Sequence, residues 1–344
     1  MKAVVLTGTG GPEVLQEQEW PDPSVGPGEV RIAVRAAGVN FAETLARVGL
    51  YPDAPKSPCV LGYEVAGVVE SVGPGSSKYA VGDRVFAGTR FGGQAELVTV
   101  PEEQALPLPE RLSFEEGAAF PVNYGTAYAA LVLMGSIREG TRVLIQGAGG
   151  GVGIAATQLA RNAGAEIFGT ASPGKHEAIR AQGVTHAIDY RSQDFATEVM
   201  RLTNGEGVDL IMDAQGPISF RKDYRLLRSG GRLIMYGLSE NTNAGVRDLP
   251  ATLKSLLKMP LATMPWWKSL MVMNENKGVF GLNMLSWWER EGNLDRVTEP
   301  LLADLEAGRL QPIVAESFSF ARAGEAHEFI SQRRNVGKVV LFPS

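Results

Sequence analysis

The stretch "RVLIQGAGGGVGIAATQLAR" (142–161) decides how the rest of the chain is read. Its first five residues are a short apolar run, as expected of a buried strand. From Val152 onward, Ile154, Leu159 and Ala163 recur at helical spacing. Between them lie residues 147–153, of which five of seven are glycine. Glycine permits a tight turn, close approach of backbone to a pyrophosphate, and close packing of helix on strand. A helix beginning near Val152 points free N–H groups at such an anion. Gly147, Gly150 and Gly153 are spaced three apart, whereas the stricter Gly-x-Gly-x-x-Gly is broken because Val152 fills its last position. Taken alone, the loop reads equally well as a structural turn, so its neighbours decide.

Those neighbours alternate. "AEIFGTA" (165–171), "HAIDY" (186–190), "VDLIMDA" (208–214) and "GRLIMYG" (231–237) read as strands. "KHEAIRAQ" (175–182), "QDFATEVMRLT" (193–203) and "FRKDYRLLR" (220–228) read as helices between them. Strand–helix alternation means a parallel sheet with helices on both faces, and the loop becomes a nucleotide cradle. The first 120 residues follow another rule. "EVRIAVRAAGV" (29–39), "EVAGVVESVG" (64–73), "GDRVFAG" (82–88) and "GQAELVTV" (93–100) are short β runs punctuated by Gly, Pro and Ser, which suggests a partly closed barrel. The tail "IVAESFSF" and "GKVVLFP" returns to strands and is expected to rejoin the barrel. The expected domains are therefore 1–121 with 290–344, and 122–289.

Composition narrows the function classes. A chain of 344 residues, 44% apolar, fills about two domains. A net charge of −5 gives no general attraction to nucleic acid, and no basic run exceeds Arg333-Arg334. The single Cys59 forbids an internal disulfide and a four-cysteine zinc lobe, and fits a reducing, cytoplasmic compartment. His176, His186 and His327 lie in separate segments, none paired at metal-ligand spacing. "MKAVVLTGTG" lacks the apolar core of a secretory leader. Residues 117–137 are uncharged, but Pro121, Asn123 and Gly125 interrupt them, so a loop and a buried helix are expected rather than a membrane span.

The end of the second parallel strand bears on the cofactor. NAD enzymes usually place Asp or Glu there, on the ribose 2′-OH. Here Thr170, Ala171 and Ser172 stand instead, and Lys175 follows as a point charge for a 2′-phosphate. Tyr190 and Arg191 after the third strand can flank the same pocket. The reading is NADP(H), with a merely solvated Lys175 as the alternative.

Further motifs tie the chain to a known family. "GVNFAETLARVGLYP" (38–52), "LGYEVAGVVESVGPG", "GDRV", the glycine loop and "GGRLIMYG" resemble the zinc-independent quinone oxidoreductase branch of the medium-chain dehydrogenases/reductases, which includes zeta-crystallin. "VNYGTAY", "FGTASPGKHEA", "GVTHAIDY" and "NVGKVVL" are similar to the vesicle amine transport protein subgroup. Glu43 stands where the branch usually has Asp. Zinc members carry Gly-His-Glu where this chain has Gly62-Tyr63-Glu64, and a catalytic Cys where it has Gly38, so no metal is expected.

The resemblance implies an α/β chain: a GroES-like, partly open β-barrel catalytic domain plus a Rossmann, doubly wound, cofactor domain. It implies hydride transfer from NADPH to a quinone or α,β-unsaturated carbonyl, with Asn40, Tyr51 and Tyr63 as candidate catalytic residues. Implied cofactor contacts are Asn123, Thr126 and Tyr128, then Gly147, Gly149, Gly150, Gly151, Val152 and Gly153 in the loop, and Thr170, Ser172, Lys175 and Tyr190 beyond it. Gly237, Leu238 and Ser239, Phe280, Gly281 and Leu282, and Asn335 and Lys338 complete them. A homodimer is expected. Residues 247–288, with five methionines and four tryptophans, are read as a lid and dimer segment. Leu249, Leu253, Leu256 and Leu257 opposite Lys254 and Lys258 keep peripheral membrane contact open. A regulatory or membrane-associated NADPH-binding protein with weak catalysis and a stand-alone enoyl reductase are the rival functions.

Overall fold

The computed structural model describes residues 1–239, 242–243, 246–247, 269–292 and 294–344. Two compact units emerge, Met1–Val122 with Gln311–Ser344, and Asn123–Asn243 with Arg247–Leu310.

The first unit is built on strands β1 (Lys2–Leu6), β2 (Leu15–Glu19), β3 (Glu29–Val39), β4 (Cys59–Val60), β5 (Glu64–Val72), β6 (Arg84–Gly88), β7 (Leu97–Pro101) and β8 (Ala105–Pro107). The long run 29–39 is the hub, pairing antiparallel with β5 and β7. Its alternation buries Val30, Ile32 and Val34 against Val65, Val69, Val85 and Val98. Each such side chain contributes about 1.5–3 kcal/mol of burial. Register shifts at Arg31/Ile32 and Val34/Ala36 mark bulges, which raise the twist and bend the strand as barrel curvature requires.

The tail does rejoin this unit. Its strands, after β9–β16 of the second unit along the chain, are β17 (Val314–Ser319) and β18 (Lys338–Phe342), which pair in parallel. Strand β18 lies antiparallel to β3, Val339 opposite Val39 and Leu341 opposite Ala37. Three helices join the strands: α1 (Phe41–Arg47), α2 (Phe114–Ala118, started by a Ser113–Glu116 capping box) and Ala323–Ser331.

In the second unit β9 (Arg142–Ile145), β10 (Glu166–Ala171), β11 (His186–Asp189), β12 (Val208–Asp213), β13 (Leu227–Met235) and β16 (Gly278–Gly281) form one sheet. Two-residue strands β14 (Thr242–Asn243) and β15 (Val246–Arg247) pair with each other. The six-stranded sheet is parallel throughout, in the order β11-β10-β9-β12-β13-β16. Counted along the chain this is 3-2-1-4-5-6, the Rossmann doubly wound order, with the winding reversing between β9 and β12. Helices α3 (Pro121–Tyr128), α4 (Gly151–Asn162), α5 (His176–Gln182), α6 (Phe195–Leu202) and α7 (Pro217–Leu226) connect or precede its strands. Helix α4 packs on α5, and α6 on α7. Leu144, Phe168, Ile211 and Leu233 fill the core beneath them.

Two expectations shift. Residues 121–134 are helical from Pro121 onward, closing in a wider π-type turn at Ala129–Met134, so no loop precedes Asn123 there. No described helix is long and apolar enough to cross a membrane. The helix Asp295–Glu306 was expected with the barrel, but it belongs to the second unit. Its face of Val297, Leu301 and Leu305 is buried, and Val297 reaches Gly125 of α3. The boundary therefore falls near 310 rather than 290. The basic amphipathic stretch 249–259, with Leu249, Leu253, Lys254, Leu256, Leu257 and Lys258, lies outside the described residues.

Gly67 shows how tightly β3 and β5 meet: a Cβ there would stand 2.1 Å from the Ala33 carbonyl oxygen. Gly67→Ala is expected to destabilise the protein by about 3 kcal/mol. Gly8→Ala, with nothing within 4 Å of its Cβ, is the control. Urea unfolding midpoints of the two variants check this.

Candidate active site

In the second unit the glycine loop follows β9 and is clamped to β10. The Gly147 N–H donates to Thr170 Oγ1 at 3.0 Å, and the Ala148 N–H to the Thr170 carbonyl at 3.0 Å. Gly147 has φ +70°, which favours glycine. A Cβ on Gly153 would lie 2.3 Å from the Gly147 oxygen, one on Gly151 2.6 Å from Asn123 Nδ2, and one on Gly149 2.8 Å from Lys175 Cδ. No larger residue fits at these three positions without movement. Helix α4 starts at Gly151, so the N–H groups of Gly151, Val152 and Gly153 have no acceptor within their own helix. A chain turn with first-turn donors and no side chain in the way is a cradle for an anion.

The surroundings of the loop bear on which anion. Strand β10 ends at Ala171, and Ser172 leads into the short turn Pro173–Lys175. The Lys175 stem lies over Gly149, bringing a cation to the loop. No carboxylate stands in 170–175. The carboxylate of Asp189, after β11, accepts from the Arg191 N–H and from Ser192 Oγ, and these bonds, the hydroxyl first, hold its pKa down. Tyr190 beside it is half-buried.

Other expected residues gather at the C-terminal ends of the same strands. The Ser239 N–H donates to the Ala214 carbonyl at 3.0 Å, and a Cβ on Gly237 would meet that oxygen at 2.7 Å. The turn after β13, Leu238 included, is thus stitched to the end of β12. The Leu282 N–H donates to Met235 O at 2.9 Å at the end of β16, while Phe280 is exposed. Asn123 and Thr126 are buried on α3, and Tyr128 is half-buried. Beneath them lies a cluster that sequence reading missed. Gln146 Nε2 donates to both oxygens of Asp223, at 2.9 and 3.1 Å, and Ser219 Oγ donates to Asp213 Oδ2. Burial pushes the Asp213 carboxyl up. "VDLIMDA" gave no cue beyond an Asp at a strand end.

In the first unit the expected Asn40 sits just before α1, half-buried at the edge of a buried polar cluster. Its Nδ2 donates to Glu64 Oε1 at 3.1 Å and to Glu43 Oε1 at 3.3 Å, and its Oδ1 accepts from Lys338 Nζ at 2.6 Å. Lys338 also pairs with Glu64, whose other oxygen accepts from the Val122 N–H at 2.8 Å. Gln94 Nε2 donates to Glu43 Oε2 at 2.5 Å. Glu43, Glu64 and Gln94 are fully buried and Lys338 is 3% exposed. Burial raises the Glu43 carboxyl to about 8, against the pull of Lys338 and Asn40. Lys338, expected at the cofactor, has its ammonium committed to Glu64 and Asn40. Asn335 donates to the Gly337 carbonyl at 2.8 Å and shapes the turn before β18. Gln94 and the coupling of Glu43 to it were not legible, because "GGQAELV" reads only as a strand.

Tyr63 is buried beside this cluster, its ring edge-on to Tyr51 (centroids 6.3 Å apart) and tilted on Phe91 (5.0 Å). Burial, then Tyr51 and Glu43, push its hydroxyl pKa up. Phe91 has φ 143°, a left-handed conformation costing about 1–3 kcal/mol, which its packing on Tyr63 helps to hold. Among the described residues no group of three or more His, Cys, Asp or Glu is arranged to hold a metal ion.

Lys338→Met would leave Glu64 and Glu43 buried without a cation. A loss of about 3–5 kcal/mol is expected at pH 8, shrinking at pH 5 because a lone buried carboxyl takes up a proton. Denaturant unfolding at the two pH values checks this.

Comparisons with known proteins agree with this architecture. Residues 26–110 match the alcohol dehydrogenase GroES-like domain, and residues 182–341 match the family described as zinc-binding dehydrogenase. The first unit is therefore a GroES-like domain. The rat synaptic vesicle membrane protein VAT-1 homolog is 38% identical over 352 residues, covering 100% of this chain and 84% of the relative. Human quinone oxidoreductase is 32% identical, covering 99% and 97%. Among solved structures, the Escherichia coli quinone oxidoreductase complexed with NADPH superposes with a TM-score of 0.86 at 26% identity, covering 100% of both chains. The chain belongs to the medium-chain dehydrogenase/reductase superfamily, in its quinone oxidoreductase-like branch, among the VAT-1 homologues.

Proposed function

We propose that this protein is an NADP(H)-dependent oxidoreductase that reduces a quinone or an α,β-unsaturated carbonyl without a catalytic metal. The observation that carries the reading is the glycine loop, clamped on Thr170, crossed by Lys175 and faced by no carboxylate in 170–175. Gly147 and Gly149–Gly153 would hold the pyrophosphate, and Ser172, Lys175 and Tyr190 the 2′-phosphate. Asn123, Thr126 and Tyr128, with Gly237–Ser239 and Phe280–Leu282, would border the nicotinamide half. When bound, NADPH supplies a hydride. The chain's own part is to orient the acceptor, exclude water and stabilise the oxygen that gains charge.

In the first unit Tyr51 and Tyr63 supply phenolic donors on an aromatic wall, and Asn40 is the amide held at its edge. Lys338 acts on Asn40 rather than on the cofactor. The donor set argues against catalytic zinc. A Cβ on Gly38, where zinc members carry Cys, would stand 2.6 Å from the Ala118 oxygen and 2.7 Å from Glu64. Tyr63 stands where they carry His. The match to a family described as zinc-binding reflects shared ancestry of the scaffold under this reading. Homodimerisation is proposed along β16, an outer strand of the six-stranded sheet, where Phe280 is exposed and Leu270, Met271 and Met273 are exposed on the preceding helix Ser269–Glu275. A cytoplasmic site of action is proposed, which the lone Cys59 fits.

The test is a panel of quinones, enones and acyl thioesters with NADPH and NADH side by side. NADPH-dependent turnover of a quinone or enone is expected; none with any acceptor contradicts the catalytic reading, and preference for acyl thioesters makes the chain an enoyl reductase. Lys175→Glu is expected to lower kcat/KM for NADPH by about tenfold or more while sparing NADH, one lost charge–phosphate contact being worth about 1.5–3 kcal/mol.

A further inference from the structure

The first-unit cluster holds one lysine and two carboxylic side chains, all sealed from solvent. Lys338 is paired with Glu64, so Glu43 is the surplus acid. With both carboxyls ionised the cluster would carry a net negative charge on buried side chains, which is costly. With one proton it is neutral. The contacts of Glu43 fit the protonated form. Its Oε2 is in direct hydrogen-bond contact with the amide end of Gln94. Turning the Gln94 amide about its last bond places Oε1, otherwise without a partner, where the Glu43 hydroxyl can donate to it. Around Glu43 the titratable and charged neighbours are Glu64 on β5, Lys338 on β18 and the Tyr63 phenol. Arg47, further along α1, turns its guanidinium to the Gly10 carbonyl.

We propose that Glu43 is a proton-holding positioning residue: it remains a carboxylic acid within the Asn40–Glu64–Lys338–Gln94 cluster, keeps that cluster neutral and thereby fixes the Asn40 amide. Neutral, the cluster leaves Lys338 on Glu64 and Asn40, so that Asn40 presents one fixed orientation. Loss of the Glu43 proton adds a charge that competes for Lys338 and loosens its hold on Asn40 Oδ1. Because the folded state binds this proton more tightly than an unfolded glutamate does, the associated stability is complete at acid pH and is lost as pH rises through the folded value. The usual Asp of the branch at this position is one methylene shorter, and the extra reach of Glu43 brings its carboxyl to Gln94.

Carboxyl 13C NMR of glutamate-labelled protein tests the proposal without any turnover. The Glu43 resonance, identified by its disappearance in Glu43→Gln, is expected to titrate near 8. A midpoint near 4.5, the ordinary glutamate value, overturns the proposal. In Glu64→Gln, Glu43 becomes the sole buried partner of Lys338, and its midpoint is expected to fall; an unchanged midpoint contradicts the shared-charge account. A second readout rests on the proposed oxidoreductase reading. The alkaline limb of the kcat/KM profile is expected in wild type and lost in Glu43→Gln, while Glu43→Ala lowers kcat by about ten- to hundredfold through a misplaced Asn40. A limb unchanged in Glu43→Gln overturns the positioning role. Absence of turnover in wild type refutes the proposed function and leaves the NMR result to decide this one.

Discussion

One buried cation organises the first unit. Lys338, on the last strand of the chain, reaches Glu64 on β5 across a sequence separation of 274 residues. The pair ties the last strand to β5 electrostatically: an unpaired charge in that place would be costly enough to unfold a marginal domain. Everything around it is arranged to satisfy its remaining bonds. Asn40 Oδ1 accepts from Lys338, the Val122 N–H donates to the second oxygen of Glu64, and Gly38 lacks a side chain so that Glu64 can approach the backbone.

The second unit is organised by geometry rather than charge. Its strand order places the ends of β9 and β12 side by side where the winding reverses, and the glycine loop leaves β9 at that point. The loop's shape is over-determined: Thr170 holds it from one side, and the carbonyl of Gly147 closes against Gly153 from the other.

Much of this was legible in the sequence because it rests on local patterns. Strand–helix alternation predicts the parallel sheet, and "EVRIAVRAAGV" predicts β3 with the right residues inward. The return of the tail to the barrel was readable from its β pattern. The helix Asp295–Glu306 was misplaced because an amphipathic pattern states that a face is buried but not against what. The polar clusters were hidden for a related reason. Gln94, Glu43 and Lys338 are unremarkable in their own segments and acquire meaning only when the segment before β7, α1 and β18 bring them together. Family resemblance pointed to Lys338 without distinguishing a cofactor contact from a buried partner of Asn40.

The central claim is metal-free hydride transfer from a phosphorylated nicotinamide cofactor. It is tested most directly by mass spectrometry of an enone product formed from NADPH deuterated at both C4 positions by chelator-treated protein. The account predicts one deuterium on the β-carbon at a rate that added zinc does not raise. Product without deuterium, or turnover that appears only when zinc is restored, would contradict it.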